Sequence, residues 1–284
     1  MSHSGSRIVL LGTGAGVTPK AGRQSTAAAL RCGEVTYVID CGNGIGPQLL
    51  RARVPLESLR AIFITHHHLD HVADFGILLA QCWSRLKSPV TLVGPPPLRR
   101  MFELFLEMFS LDLEGRVEEE GRAPLSSFVE VSEFSAAGDC YEDDLVRVSC
   151  ANVVHPPLTH AYAYRFEPKD EGACVVFSGD TAPTQTLADF ARGAQTLVHE
   201  ATFPAALAEA LGAGASERLL SRLARAHSPV TEAARIAARA GVTRLVLSPL
   251  APTTGVDDAQ WIAAARPEFA GEIIVGRDLL EIPL

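Results

Sequence analysis

The sequence lacks the features that mark membrane proteins and secreted proteins. No apolar run in its 284 residues reaches the roughly 18 residues needed to cross a bilayer. Residues 1–6 carry neither the basic nor the apolar region of a secretory signal. The 6 cysteines are scattered and form no C-x-x-C pair, a distribution typical of reduced thiols. We therefore expect a cytoplasmic protein with no membrane segment.

The sequence also lacks an excess of basic residues. Its formal net charge at pH 7 is -8, with 25 lysines and arginines against 33 aspartates and glutamates. Affinity for nucleic acid depends strongly on Lys and Arg, so this balance disfavours a broad nucleic-acid-binding surface without excluding a local basic pocket. A small-molecule substrate is the expectation from charge, and the sequence leaves a homodimer open.

Strand and helix patterns alternate along the chain, which is typical of an α/β protein. The predicted strands cover residues 7–11, 35–39, 60–64, 90–93, 146–148, 162–166, 174–177 and 245–247, and the predicted helices cover residues 45–53, 72–86, 98–109, 186–192, 204–211 and 231–240. Residues 112–144 are acidic and are expected to be irregular. Because no linker or repeat is visible, residues 1–284 are predicted to form a single domain, with two sheets and helices outside them.

A histidine cluster follows one of the predicted strands. Residues 65–71 read THHHLDH, so four imidazoles and a carboxylate fall close together. Imidazole nitrogen and carboxylate oxygen are ligands of zinc and, in related sites, of iron and manganese. On an extended backbone His66, His68 and Asp70 would point to one side and His67 to the other. Where the backbone turns after the strand, Asp70 and His71 can spread around a second point. The alternative interpretation is a histidine run on a solvated loop.

Two later residues are candidates for completing a metal site. His155 ends a short apolar run and precedes a double proline, and Asp180 lies in a tight turn after a predicted strand. A carboxylate on such a turn can bridge two cations. The alternatives are a structural histidine and a helix-capping aspartate.

A glycine-rich turn near the N-terminus suggests a different class of protein. Residues 12–16 read GTGAG after a predicted strand, with Asp40 further on. A dinucleotide-binding fingerprint needs its third glycine at position 17, where this chain has Val17. The spacing therefore disfavours a nucleotide-dependent oxidoreductase.

Several motifs occur in order along nearly the whole chain and together carry a family resemblance. They are LGTG at residues 11–14, VIDCG at 38–42, HHHLDH at 66–71, His155, SGDT at 178–181 and LVHEATF at 197–203. This combination resembles the metallo-β-lactamase superfamily, specifically its ribonuclease Z and arylsulfatase-like hydrolase branch. The resemblance implies a four-layer αββα sandwich with metals in a cleft along one edge of the paired sheets.

The resemblance also implies roles for individual residues. A first zinc would use His66, His68, His155 and Asp180, and a second would use Asp70, His71 and the shared Asp180. Asp40 would order the ligands around it. His227 would protonate the leaving group with Glu200 orienting it, and Asp70 would act as a general base where the second ion is weak. Iron or manganese could replace zinc in such a site.

The chain departs from the family pattern at one expected ligand. The family places a histidine at the end of a late strand, whereas residues 245–249 read LVLSP here. Pro249 has no donor atom for a metal. We therefore predict one tightly held zinc and a weakly occupied second position.

The expected activity is ester hydrolysis by a zinc-activated hydroxide, since zinc lowers the pKa of bound water toward about 7. The substrate would be a small ester, phosphodiester, sulfate ester or thioester, in a pocket walled by the helix predicted at residues 98–109. A first alternative is tRNA 3′ processing, against which stand the net charge and the short interval of 180 − 155 = 25 positions between His155 and Asp180. Ribonuclease Z proteins that grip tRNA with an arm insert the arm in this interval. A second alternative is a non-catalytic binding protein with a degraded metal site.

Overall fold

The computed structural model describes residues 5–169, 172–212 and 214–284. The strands within these residues are β1 (Arg7–Gly12), β2 (Ala27–Cys32), β3 (Val35–Ile39), β4 (Leu59–Phe63), β5 (Val90–Gly94), β6 (Val129–Glu133), β7 (Gly138–Glu142), β8 (Val146–Asn152), β9 (Tyr162–Pro168), β10 (Val175–Phe177), β11 (Thr196–Thr202), β12 (Arg244–Ala251), β13 (Glu272–Val275) and β14 (Glu281–Pro283).

The helices lie between these strands and outside them. They are α1 (Ile45–Arg51), α2 (Leu69–Val72), α3 (Phe75–Cys82), α4 (Leu98–Met108), α5 (Ser110–Glu120), α6 (Gln185–Phe190), α7 (Pro204–Leu211), α8 (Glu217–Ala226), α9 (Val230–Ala240) and α10 (Asp258–Ala265), with short 3-10 helices at Leu56–Ser58 and Leu125–Phe128. No helix among the described residues is both long enough and apolar enough to cross a bilayer.

The strands form two seven-stranded sheets. The first has the order β14-β1-β2-β3-β4-β5-β6 and the second the order β13-β12-β11-β10-β9-β8-β7. In the first sheet β3 to β6 run parallel, and in the second β10 to β13 do so. The carboxyl ends of parallel strands are where α/β proteins usually bind ligands.

Three apolar layers separate two sheets and two sets of helices. One buried cluster joins the facing surfaces of both sheets and includes Ile8, Phe63, Tyr164 and Phe166. A second cluster lies between the first sheet and helices α1, α3 and α4, and a third between the second sheet and helices α6, α9 and α10. This is the αββα sandwich, so the predicted fold class is confirmed.

Hydrogen bonds join the two sheets at the edge where β4 ends. The Tyr164 hydroxyl donates to the Ile64 carbonyl at 2.7 Å, and the Tyr162 amide donates to the Thr65 carbonyl at 3.0 Å. Both bonds reach across from β9 to the residues immediately before the histidine cluster. The start of that cluster is therefore held by both sheets.

The prediction of an irregular segment over residues 112–144 is wrong. The structure has helix α5 and strands β6 and β7 in this region. Helix α5 buries only Leu113, so its sequence carries little apolar periodicity. Ion pairs from Arg116 to Asp112 at 2.9 Å and to Glu120 at 3.6 Å support it on the surface instead. The helix predicted over residues 72–86 is shorter in the structure, where α2 ends at Val72 and α3 spans Phe75–Cys82.

Candidate metal centre

The candidate ligands lie at the edge of the sandwich where parallel strands end. His66 and His68 follow β4, Asp180 follows β10, and Glu200 belongs to β11. His155 follows the antiparallel strand β8 at the same edge, because its ring lies 4.7 Å from that of His66 between centroids. Residues more than a hundred positions apart therefore surround one small volume.

Three imidazoles converge most closely. His68 Nδ1 lies 3.1 Å from His66 Nε2 and 2.9 Å from His155 Nε2. The ligand atoms of these three residues all lie within 4.8 Å of one another. Three imidazole nitrogens directed at one point form a common zinc-ligand set.

Hydrogen bonds on the outer side of two rings fix their tautomers. The Ala226 carbonyl can only accept, so His155 Nδ1 carries the hydrogen of their 2.8 Å bond and Nε2 is left with its lone pair. The Thr65 hydroxyl donates to the Asp40 carboxylate at 2.9 Å and therefore accepts from His66 Nδ1, also at 2.9 Å. In both rings Nε2 faces the cluster as a potential ligand, an arrangement typical of metal-binding histidines.

The pKa values of these rings favour the neutral form that metal binding requires. Burial lowers the pKa of His155 to about 4 and that of His66 well below its ordinary value. Burial also lowers the pKa of His68, the more accessible ring of the three.

A second group contains His66, His71 and Asp180, all buried. His71 Nδ1 donates to Asp40 Oδ2 at 2.8 Å, so Asp40 orders this ligand as the sequence predicts. His71 Nε2 lies 3.4 Å from Asp180 Oδ2, but the alignment is too poor for a hydrogen bond and leaves this buried nitrogen without a partner among the described residues. Burial lowers the pKa of His71, but Asp180 and Asp40 together raise it well above its ordinary value. A proton on His71 can thus supply the positive charge that a metal ion would otherwise bring to this group.

Asp180 belongs to two groups of potential ligands, one with His66 and His71 and one with His155 and His227. Only 4% of its surface is exposed, and Oδ1 is buried with no hydrogen-bond partner among the described residues. Burial raises the pKa of Asp180, but His71 and His227 outweigh it and hold the pKa well below the usual range. An ionised, buried oxygen without a partner is costly unless a cation compensates it. The donor set therefore fits a bound metal ion.

Asp70 lies at the margin of these groups. Its Oδ2 accepts from the Gly16 amide at 2.7 Å and lies 3.8 Å from His71 Nε2. Helix α2 begins at Leu69, so the backbone turns before Asp70 and this side chain lies near His71, apart from the His66 and His68 rings. Asp70 is outside the groups of potential ligands that the described residues form.

Buried Glu200 and partly buried His227 form an acid–base pair beside Asp180. His227 Nδ1 lies 2.8 Å from Glu200 Oε2 and 3.7 Å from Asp180 Oδ2. Burial alone would lower the pKa of His227, but the Glu200 carboxylate raises it to about 9. Burial raises the pKa of Glu200 to about 7 against the attraction of His227. The pair thus holds a proton on the Asp180 side of the cluster.

The remaining histidines near the cluster point elsewhere. His67 Nε2 lies 2.8 Å from the Pro95 carbonyl, on the opposite side of the chain as the alternation predicts. His199 Nδ1 lies 2.7 Å from the Glu200 carbonyl. His160 is in none of the groups of potential ligands that the described residues form.

Pro249 borders the second ligand group. It lines a cavity of about 30 Å³ together with Asp40, His71, Asp180 and Ser248. This volume has room for about one water-sized particle. The position where the resemblance expects an imidazole therefore faces His71 and Asp180 but supplies no donor.

A larger cavity of about 300 Å³ opens beside Asp70. The loop of residues 14–25 lines one side, with Lys20 and Arg23, and Leu69 lines the other. Helix α4 does not line this cavity and packs its Phe105 ring against Gly76 instead. The expectation that this helix walls the pocket is wrong.

Some contributors to the site escape sequence analysis. Thr65 and the Ala226 carbonyl orient His66 and His155, and Lys20 and Arg23 stand in the loop after β1. Two sequence signals point to them: Thr65 lies within the THHHLDH motif, and the glycine-rich turn at residues 12–16 leads into the loop that lines the larger cavity.

Comparisons with known proteins agree over most of the chain. A family model described as Anti-Pycsar protein Apyc1 matches residues 6–214. A protein named Ribonuclease Z from Mycobacterium bovis (strain BCG / Pasteur 1173P2) is 32% identical over 277 residues, which cover 96% of each chain. Another Ribonuclease Z, from Mycobacterium sp. (strain KMS), is 34% identical over 276 residues, covering 96% of this chain and 94% of that protein.

Two solved structures share the fold. The metallo-β-lactamase fold protein YhfI from Bacillus subtilis superposes with a TM-score of 0.73 at 22% identity, covering 98% of this chain and 99% of that one. The short form of human tRNase Z gives a TM-score of 0.73 at 22% identity, covering 97% and 98%. At this identity the likeness concerns the fold.

Adjacent histidines provide a test of metal binding. We expect His68→Ala to lower the bound zinc of purified protein and to abolish the rise in Tm on zinc addition, because His68 Nδ1 faces both His66 and His155. A ligand that binds only the folded state at about 1,000 times its Kd stabilises it by roughly 4 kcal/mol. The measurements are elemental analysis and thermal unfolding with and without zinc.

His67→Ala is the matched control, since His67 is equally half-buried but bonds to the Pro95 carbonyl. It should retain the wild-type zinc content and Tm shift. Equal metal loss in both variants would contradict the assignment.

A second prediction concerns the position of Pro249. Because this residue lines the small cavity with His71 and Asp180, Pro249→His should add an imidazole to the second ligand group. We expect the zinc content to rise by about one equivalent, since a further neutral donor completes such a site. Pro249→Ala controls for loss of the proline and should leave the content unchanged. An unchanged content in Pro249→His would count against a weak second position.

Proposed function

We propose that this chain is a metal-dependent phosphodiester hydrolase. The chain belongs to the ribonuclease Z branch of the metallo-β-lactamase superfamily and to the family described as Anti-Pycsar protein Apyc1. RNA of the kind that ribonuclease Z processes at the tRNA 3′ end is the first candidate substrate. The observation that carries the proposal is the convergence of His66, His68, His155 and Asp180 with the His227–Glu200 pair at one edge of the sandwich. Relatives named Ribonuclease Z that match over 96% of the chain support it.

This proposal departs from the substrate that composition suggested. The sequence-based expectation was a small molecule, with nucleic acid disfavoured. The relatives favour RNA, and the basic side chains at the larger cavity provide a local exception to the acidic net charge. We retain a cytoplasmic location and one tightly held zinc as parts of the proposal.

The family resemblance assigns the residues that would hold the metal, and the grouping of His66 with His68 and His155, and of His66 with His71 and Asp180, supports that assignment. His66, His68, His155 and Asp180 would hold the first ion, and His71 and Asp180, with Asp70 at the margin, a second. Zinc bound at such a site lowers the pKa of water toward about 7 and thus supplies a nucleophile at neutral pH. Asp40 and the Ala226 carbonyl keep His71 and His155 in the orientation that presents Nε2.

The His227–Glu200 pair would deliver a proton to the leaving oxygen. Phosphodiester cleavage leaves an alkoxide that needs a proton, and a general acid near the centre can supply it. Glu200 stabilises the protonated form of His227 through Nδ1 and leaves the other ring nitrogen to donate. The Thr181 amide holds Glu200 in place by donating to Oε1 at 2.5 Å.

The larger cavity would receive the substrate beside this centre. Lys20 Nζ is held by the Gly16 and Thr18 carbonyls at 2.9 and 2.8 Å, which leaves one of its three N–H groups for a ligand. Val17 and Leu69 also line the cavity and are 56% and 60% exposed, so its mouth offers an apolar surface beside a cation. A phosphate flanked by a sugar or base matches this combination.

A small phosphodiester is the second candidate, because the interval after His155 carries no arm among the described residues. Strands β9 and β10 lie in this interval and belong to the second sheet. Ribonuclease Z proteins that grip tRNA with an arm insert it here, so this chain would have to hold a large RNA by other means.

The two candidates are separated by assaying zinc-loaded protein on a 3′-extended precursor tRNA and on small cyclic and linear phosphodiesters. We expect cleavage of the precursor at its 3′ end, and Asp180→Asn should reduce the rate roughly 100-fold or more through loss of a charge at the reacting centre. His67→Ala serves as the active control, since His67 faces away. Cleavage of the small phosphodiesters alone would establish the second candidate. If fully zinc-loaded protein cleaves neither class, the proposal is wrong.

If His227 is the general acid, its deprotonation determines how kcat falls at alkaline pH. A proton donor is lost as pH rises through its pKa, so kcat should fall there. Glu200→Gln keeps an oxygen to accept from Thr181 but removes the charge that raises the pKa of His227, so the fall should move to lower pH. Profiles of kcat for wild type and variant check this. The exposed Glu114→Gln should leave the profile unchanged, and an unmoved profile in Glu200→Gln would rule out the pair as the acid.

A further inference from the structure

Helix α8 ends directly at the metal centre. Ala226 is its one buried residue, and the Ala226 carbonyl accepts from His155 Nδ1 at 2.8 Å. His227 follows and pairs with Glu200 at 2.8 Å. At its other end the helix is capped by Ser216, whose side chain accepts from the Leu219 amide. The C-terminal turn of α8 is therefore held in a defined position against the site.

Arg222 lies one helical turn before Ala226. Residues four apart share a helix face, so Arg222 is on the side of α8 that faces the centre. Burial is the largest cause that lowers the pKa of His68, and the nearby Arg222 charge lowers it further. Because the Ala226 carbonyl contacts His155, the same face of α8 carries the Arg222 guanidinium toward the histidine cluster.

Arg222 has no ion pair and donates no hydrogen bond within residues 5–169, 172–212 and 214–284. Its side chain is exposed, and its five N–H groups are available in a planar fork. Most other arginines near the surface are committed, as Arg235 is to Glu268 at 2.8 Å. An uncommitted guanidinium beside a metal-ligand cluster has the geometry and charge to bind an oxyanion.

A second cation belongs to the loop of residues 14–25. Lys20 lines the larger cavity together with Asp70, and the Gly16 amide of the same loop donates to Asp70 Oδ2 at 2.7 Å. Lys20 is far from α8 in the sequence. The centre thus has one nearby cation from the loop and another from α8.

We propose that Arg222 binds a non-bridging oxygen of the substrate from the α8 side and thereby selects anionic esters over neutral ones. This inference rests on the proposed function and narrows it. Phosphodiesters and sulfate esters carry an oxygen that Arg222 can bind, whereas lactones, thioesters and carboxylic esters carry no charge there. Arg222 is in this view a specificity-determining residue that touches the substrate and takes no part in proton transfer.

The test compares Arg222→Gln with Arg218→Gln, which removes the same charge from an exposed position one turn further from the site. Titration of zinc-loaded protein with inorganic phosphate should show a Kd raised roughly tenfold in Arg222→Gln and unchanged in Arg218→Gln. Arg222→Lys should recover part of the loss, because it restores the charge but not the planar fork. Zinc content is measured in each variant, so that loss of metal is recognised.

Turnover gives a second measurement. In Arg222→Gln we expect KM for bis(4-nitrophenyl) phosphate to rise while kcat changes little, and the rate on the neutral ester 4-nitrophenyl acetate to stay the same. A wild-type phosphate affinity in Arg222→Gln, or an equal loss in Arg218→Gln, would overturn the inference, as would a wild-type protein that binds no phosphate. If no ester is hydrolysed at all, the proposed function fails, and the phosphate titration still decides on Arg222.

Discussion

The site depends on the burial of the Asp180 carboxylate among imidazoles. Moving an unpaired carboxylate out of water costs several kcal/mol, and only opposite charge close by offsets this cost. His71 and His227 supply part of that charge, but Oδ1 has no partner among the described residues. A metal ion held by Asp180 and the surrounding rings would provide the remainder. The arrangement of β4, β8, β10 and β11 around this edge is therefore coupled to the presence of a cation.

Hydrogen bonds outside the histidine cluster connect the orientation of the candidate ligands to the two sheets. Asp40, at the end of β3, accepts from Thr65 and from His71, so one carboxylate orients ligands that follow β4. The Tyr164 hydroxyl ties the adjoining backbone to the second sheet. Ligand orientation thus depends on contacts from both halves of the sandwich, which explains why the metal site lies where the two sheets meet.

Sequence analysis predicted the fold class and identified most of the residues that lie close together at the candidate site. The motifs of His66, His68, His155 and Asp180 are local and chemically distinctive, and the structure brings these residues to one edge; their role as metal ligands stays a prediction. The position where the backbone turns before Asp70 could not be fixed, because the start of a four-residue helix at Leu69 leaves little signal in the sequence. Sequence analysis missed the α5 helix, whose support is ionic and whose apolar face is small.

The wall of the larger cavity could not be predicted, because it depends on contacts between distant parts of the chain. The Arg23 guanidinium donates to the Gly276 carbonyl at 2.6 Å, across 253 positions of sequence. Net charge was a poor guide for a related reason, since it averages over the whole surface. Lys20, Arg23 and Arg222 create a local basic surface beside the centre that an overall value of -8 does not reveal.

The bond between His155 Nδ1 and the Ala226 carbonyl has a mechanical consequence. Helix α8 cannot swing outward to admit a bulky substrate without loosening a ring that faces the metal. A substrate should therefore reach the centre with α8 in place, so the fixed position of this helix limits the size of the group that can lie beside His155.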